Sequence, residues 1–478
     1  MAFRFSRRQM MQGAGGAALT QSLAAAAAAA PASRRWPIEE GPNTPKICLS
    51  PGDGGGPLPA SMQAAGRGAS APGAAGPAAA GRGSAAGRGG GRGGYGGFLA
   101  PTTQPAPAAP TVGAGRGPGF GGNQAASYQR IRQLGVTHLL GVGIGGSPWT
   151  VETVSRAVQN AKDAGLVAYN SMINVPGSII YGRETRGKDM EIFLASIEAA
   201  GKGGLPVVEY NFYAHRGIEG YYETVGRARA GYTAFDYELE LLVDENNFLV
   251  GPIYRDEKGQ ITPETLAAFP NARKVKFKDL PALPNEGART LNEMWANITW
   301  FLKAAVPAAE KAGVLLALHP NDPPAPISRG SQQIMGSLAG WKRLIEIVNS
   351  PANGITYDCG VTREMGEDAV AVAEYFASRK RINHTHYRNA LVDKPYEKYQ
   401  EVFVDNGMVD MFGVMRALVR NKYTGTIYPE HPRALDADRD RVAAGGRIGG
   451  YPGGGGYTGI AYSVAYTRAM MQAALASL

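Results

Sequence analysis

The chain has 478 residues and a mass of 50.3 kDa, and 44% of its residues are hydrophobic, enough for one large core or two ordinary ones. A net charge of +9 suggests a nucleic-acid partner until it is located: eleven Lys and Arg against three Asp and Glu fall in residues 1 to 126, leaving about +1 for the remainder. The remainder thus lacks the basic excess of a groove-binding domain, and two distant cysteines, Cys48 and Cys359, exclude a disulfide framework.

The opening "FRFSRRQMMQGAGGAALTQSLAAAAAAAPAS" joins Arg7 and Arg8 to a weakly apolar, Ala-rich run with small residues suited to cleavage near Ala30. It reads as a twin-arginine export signal over residues 1 to 31, which implies an exported, periplasmic protein. Gly, Gln, Thr and Ser interrupt the run, and no later stretch is apolar enough to span a bilayer, so no stable membrane anchor is expected. Residues 32 to 478 are expected to form a single domain. Within it, residues 51 to 126 are Gly, Ala, Pro and Arg with few large side chains, and read as a disordered insert. Its "RGGGRGGYGG" resembles arginine-glycine RNA-binding tracts, but an isolated tract of this kind reads better as a solvated linker, and no nucleic-acid partner is expected.

Around that insert, short apolar runs alternate with helical patterns. "PKICLS" is a first strand and "YQRIRQLG" its helix; "THLLGVG" precedes "TVETVSRAVQNAKDAG", "LVAYNSMI" precedes "MEIFLASIEAAG", and "LPVVEYNF" is a fourth strand. An irregular excursion from about 213 to 288 leads into the helix "LNEMWANITWFLKAAVPAAEKAG". "VLLALH", "GITYDC", "RINHTH" and "GTIYPE" follow as strands, with helices near 335 to 349, 367 to 379, 408 to 421 and 458 to 475. Eight strand-then-helix units imply a parallel sheet closed into a (β/α)8 TIM barrel. "GVGIGG" fits the letters of a dinucleotide fingerprint, but "SPWT" separates it from the helix and no acid ends the next strand, which weighs against an open doubly wound sheet.

Barrel enzymes carry their chemistry at the C-terminal strand ends. The last polar residues of the late strands are His319, Cys359, His386 and Glu430, all donors to a divalent transition metal. Each alone reads as a buried core or loop residue; four at successive ends point to one shared ion. Thiolate and imidazole suit Zn2+, Co2+ or Fe2+, and carboxylate suits Mn2+; the expected cofactor is a divalent metal, Mn2+ or Fe2+.

The strings "ALHPNDPPAPI", "VNSPANGITYDCG", "HTHYRN", "NGMVDMFGVMRALV", "PEHPRAL" and "GYTGIAYS" resemble the mannonate dehydratase family, barrel enzymes of the xylose-isomerase-like group. The resemblance covers most of residues 311 to 470 and is fainter upstream. It implies His319, Cys359 and His386 as metal ligands, with Glu430 matching a fourth that is aspartate in the family. It also implies His431 and Tyr457 as the proton-transfer pair and Arg388 as the residue that holds a sugar-acid carboxylate. Asn321 and Asp322, in the turn after His319, are expected as further substrate contacts. His384, two residues deeper than His386, is expected to be a satisfied core residue or a support for the ligand.

The implied reaction is loss of water from D-mannonate to give 2-keto-3-deoxy-D-gluconate, with a small-molecule sugar acid as partner; a homo-oligomer is compatible with the sequence. Three departures stand out. Glu430 is one methylene longer than the family's aspartate, Asn321 replaces another aspartate, and "YNSMINVPGSII" lacks the acids and histidine of the family's third-strand segment. The alternatives are a sugar isomerase or epimerase on the same metal-dependent barrel, or an exported sugar-acid-binding protein without turnover.

Overall fold

The computed structural model describes residues 40–55, 124–256, 258–284, 286–443 and 451–478. The export signal, and residues 56 to 123 of the expected disordered insert, lie outside the described residues. The edges of that insert are ordered. Ser50 caps a short 3-10 turn, Pro51–Gly54, reciprocally with Asp53, and Arg130 Nη2 donates to the Gly55 carbonyl at 2.6 Å. Ser127 also donates to the Pro51 carbonyl, so the two edges are pinned side by side.

In chain order the first strands are β1 (Lys46–Leu49), β2 (His138–Leu140), β3 (Val167–Asn174) and β4 (Val207–Asn211). There follow β5 (Tyr221–Val225), β6 (Gly231–Asp236), β7 (Glu240–Val243), β8 (Arg273–Lys276) and β9 (Leu315–Leu318). After them come β10 (Ile327–Ser328), β11 (Ser331–Gln332), β12 (Asn353–Asp358) and β13 (Ile382–His386). The last are β14 (Asn389–Lys394), β15 (Lys398–Val402) and β16 (Thr426–Tyr428).

Eight of these close a parallel barrel in the order β1-β16-β13-β12-β9-β4-β3-β2, as the strand-then-helix alternation implied. Its strands are apolar because both faces are buried: Ile355, Leu316, Val208 and Ile427 are inaccessible to solvent. Several outer helices begin at side-chain caps. Thr150 closes a capping box onto helix Val151–Asp163 and Thr290 one onto Leu291–Ala312, which ends at Gly313 with φ 69°.

The excursion from 213 to 288 is not irregular. It holds β5 to β8, with β5 and β6 joined to β14 and β15 in an antiparallel sheet ordered β14-β15-β6-β5. Long-range pairing of β6 with β15, Phe235 opposite Tyr399, organises strands too short and polar to be read locally. Tyr221, Phe235, Phe277, Tyr399 and Tyr451 form a second apolar cluster there. This sheet is tied to the loops at the C-terminal barrel end: Tyr221 donates to Asp322 Oδ1 at 2.6 Å, and Arg433 Nη1 donates to Thr233 Oγ1 at 2.7 Å.

Candidate active site

Register sets the positions of the donors. Asp358 is level with His386 and Thr356 with His384, while Tyr210 is level with Leu318, just before His319. Side chains alternate along a strand, so His384 and His386 share the interior face of β13, one above the other. Their rings lie 5.0 Å apart, and those of His319 and His386 4.9 Å apart.

His319, Asp358, His386 and Glu430, all buried, bring one ligand atom each within 4.8 Å of the others. His319 Nδ1 lies 2.7 Å from the Pro320 carbonyl, which can only accept, so the ring hydrogen is there and Nε2 keeps its lone pair. Burial pushes this imidazole down to about 3, and it remains neutral. His386 Nδ1 approaches Glu430 Oε1 at 2.9 Å and Asp358 Oδ2 at 3.7 Å, yet neither His386 Nδ1 nor Glu430 Oε1 completes a hydrogen bond. Burial would raise Asp358 and Glu430, but Arg388 and His386 outweigh it at the first, and His386 and His431 at the second, so both are held below the usual carboxylate range. Two ionised carboxylates, a bare imidazole nitrogen and orphaned donor atoms at one point fit a divalent cation.

Asp358 was not anticipated, and it takes the place expected of Cys359. The reason is strand phase. Thr356 and Asp358 are two apart on β12 and face inward, whereas Cys359 opens the helix Cys359–Glu364. The Cys359 thiol donates instead to the carbonyls of Arg388 at 3.2 Å and His386 at 3.5 Å, and burial pushes it well above the ordinary thiol range. It is a buried core sulfur, and the structure does not bring it into the donor group.

A second group adjoins the first. His431 Nδ1 donates to Glu401 Oε2 at 2.9 Å, and its Nε2 lies 3.6 Å from Glu430 Oε2. Burial raises Glu401, but His431 and Arg388 more than reverse this and draw it down to about 2. His431 sits at φ 48°, a strained conformation for a residue with a Cβ, and its carbonyl accepts from Arg433 Nε at 2.9 Å and Nη2 at 2.7 Å. At 10% exposure its side chain is more accessible than any in the donor group.

Arg388 links the two groups. It lies 3.0 Å from Asp358, 2.6 Å from Glu364, 3.2 Å from Glu430, 3.5 Å from Asp322 and 3.6 Å from Glu401, with 2% of its side chain exposed. It neutralises a buried acidic cluster and is not presented to a substrate as the sequence reading expected. Asn321 is also committed: its Oδ1 accepts from Met335 N at 2.8 Å and its amide donates to Gln333. Asp322 does face the second group, within ligating distance of Glu401 and His431. Tyr457 stands at the start of the last helix with its hydroxyl on the Arg130 carbonyl at 3.1 Å, outside both groups. The tyrosine packed on His431 is Tyr451, ring centroids 4.6 Å apart, and its hydroxyl accepts from Arg216.

Comparison with known proteins agrees with this architecture. A family described as D-mannonate dehydratase (UxuA) matches residues 118–476. Mannonate dehydratase from Streptococcus equi subsp. zooepidemicus is 26% identical over 68% of this chain and 86% of its own length. That from Enterococcus faecalis is 28% identical over 65% of this chain and 87% of its own. The crystal structure of mannonate dehydratase from Streptococcus suis serotype 2 superposes with a TM-score of 0.54 at 25% identity, covering 73% of this chain and 91% of that one. With well over half its length matched, the chain belongs to the D-mannonate dehydratase family, whose members are lyases.

Proposed function

We propose that the chain is a metal-dependent sugar-acid dehydratase that converts D-mannonate to 2-keto-3-deoxy-D-gluconate. The observation that carries this reading is the buried His319–Asp358–His386–Glu430 group with the His431–Glu401 pair beside it. With the thiolate outside the donor set, two imidazoles and two carboxylates favour Mn2+ or Fe2+. A divalent cation held there supplies positive charge against the negative charge that builds on the substrate carboxylate when C2 loses its proton.

The chain's own groups do the rest. His431 Nε2 takes the C2 proton, and ionised Glu401, bonded to Nδ1, stabilises the imidazolium that results. The electron pair left by the C2–H bond forms the C2–C3 double bond as the C3–O bond breaks. Tyr451 protonates the departing hydroxyl, which leaves as water, and the enol rearranges to the 2-keto acid. Arg216, 22% exposed and held by the Asp322 carbonyl at 2.9 Å, takes the carboxylate-holding role that Arg388 is too enclosed to fill. The Arg7–Arg8 leader supports an exported, periplasmic enzyme.

The test is to assay Mn2+- or Fe2+-loaded protein against a panel of hexonates and free ketoses. Keto-acid formation from D-mannonate is expected; ketose interconversion with no keto acid would overturn the proposal. N-terminal sequencing of periplasmic protein is expected to begin near Ala32.

A further inference from the structure

We infer a second, inner metal position one layer deeper in the barrel, formed by Glu209, His384 and the far side of the His386 ring. These three buried residues bring one ligand atom each within 4.8 Å of the others. The inference shares His386 with the centre proposed above, and to that extent rests on it.

The layer is set by register. Glu209 on β4 is level with Ala317 on β9, two residues before His319, and His384 is level with Thr356, two before Asp358. A two-residue step is about 7 Å along a strand, so this position is distinct from the outer one.

Three observations point to a ligand. Neither His384 Nε2 nor Asn170 Oδ1 has a hydrogen-bond partner, and both residues are inaccessible to solvent. His384 uses only its other nitrogen, 2.9 Å from Thr426 Oγ1. Glu209 is oriented by Thr356 Oγ1 at 2.8 Å and Asn170 Nδ2 at 3.1 Å, so its carboxylate is fixed rather than free to turn away. The spacing decides what the ligand is. Glu209 Oε1 and His386 Nε2 are 3.7 Å apart, too far for a hydrogen bond. Two ligands at about 2.1 Å from a tetrahedral ion stand about 3.4 Å apart, so this gap suits a shared cation with a shift of a few tenths of an ångström.

His386 therefore faces two ways, Nδ1 toward Glu430 and Nε2 toward Glu209. An ion at each position takes one ring lone pair, and any proton on that nitrogen leaves to solvent. Two imidazoles and one carboxylate suit a borderline ion such as Zn2+ or Co2+.

The experiment uses full-length protein produced in medium supplemented with Co2+, its metal counted by mass spectrometry and located by anomalous diffraction. Two ions per chain are expected, with peaks on both sides of the His386 ring. His384→Phe and Glu209→Gln should each leave one. One ion in the parent that is lost in Asp358→Asn and kept in His384→Phe overturns the inner position and leaves the outer centre standing. One ion kept in Asp358→Asn and lost in His384→Phe sustains the inner position and removes the outer reading. Two ions with no peak beside Glu209 also overturn it, and the parent count and diffraction need no variant to fold.

Discussion

Strands β1 to β4 end in Leu49, Leu140, Asn174 and Asn211, whereas β9, β12, β13 and β16 end in or run into His319, Asp358, His386 and Glu430. The second four are consecutive in the barrel wall, β9-β12-β13-β16, so their ends converge on one side of the mouth. The first half also contributes cover: after β4, β5 pairs with β6, and β6 pairs with β15, which carries Glu401. The contrast teaches how a barrel with eight similar strand ends acquires a polarised site. Donors are gathered on neighbouring strands, Arg388 balances their charge from within, and a sheet built from both halves is tied to the loops beside them.

The largest expected effect that breaks this contrast comes from the second half. His431→Ala should lower kcat by about 10^2 to 10^4 while the bound metal stays at the parental level, measured by steady-state assay beside metal analysis. An unchanged kcat would remove His431 from proton transfer.

Glu401→Gln should come next, since it keeps shape but removes the charge that orients His431; kcat is expected to fall about 10- to 100-fold. The same variant sharpens the electrostatic account. Glu401 in the fold sits at about 2, below its ordinary value of 4.5, so its stabilisation is present above pH 4.5 and fades as pH falls toward 2. Urea unfolding across this window should show a shallower acid-side loss in the variant than in the parent.

The smallest effect belongs to the first half. Ser50 follows β1 and caps the turn Pro51–Gly54, so Ser50→Ala should cost about 1 kcal/mol in urea unfolding and leave kcat unchanged.

Barrel closure was legible because buried parallel strands and amphipathic helices each write their own period into the chain. The antiparallel cover was not, since β6 finds β15 more than 150 residues away and neither run is strongly apolar. At the site, His319, His386 and Glu430 were legible as strand-end donors, and His431 through the family resemblance. Asp358 was visible in principle, two residues after Thr356, but the neighbouring thiol was the more conspicuous donor type. Glu401 lies in a hairpin strand and Tyr451 in a Gly-rich loop, and only tertiary packing brings them to His431. His384 was expected to be satisfied, and one of its nitrogens is not.

The most direct test of the outer centre compares the metal content of Asp358→Asn with that of Cys359→Ser, each purified beside the parent. Loss of the outer ion in Asp358→Asn with full retention in Cys359→Ser is predicted by the strand phase of β12. Retention in Asp358→Asn with loss in Cys359→Ser would contradict it.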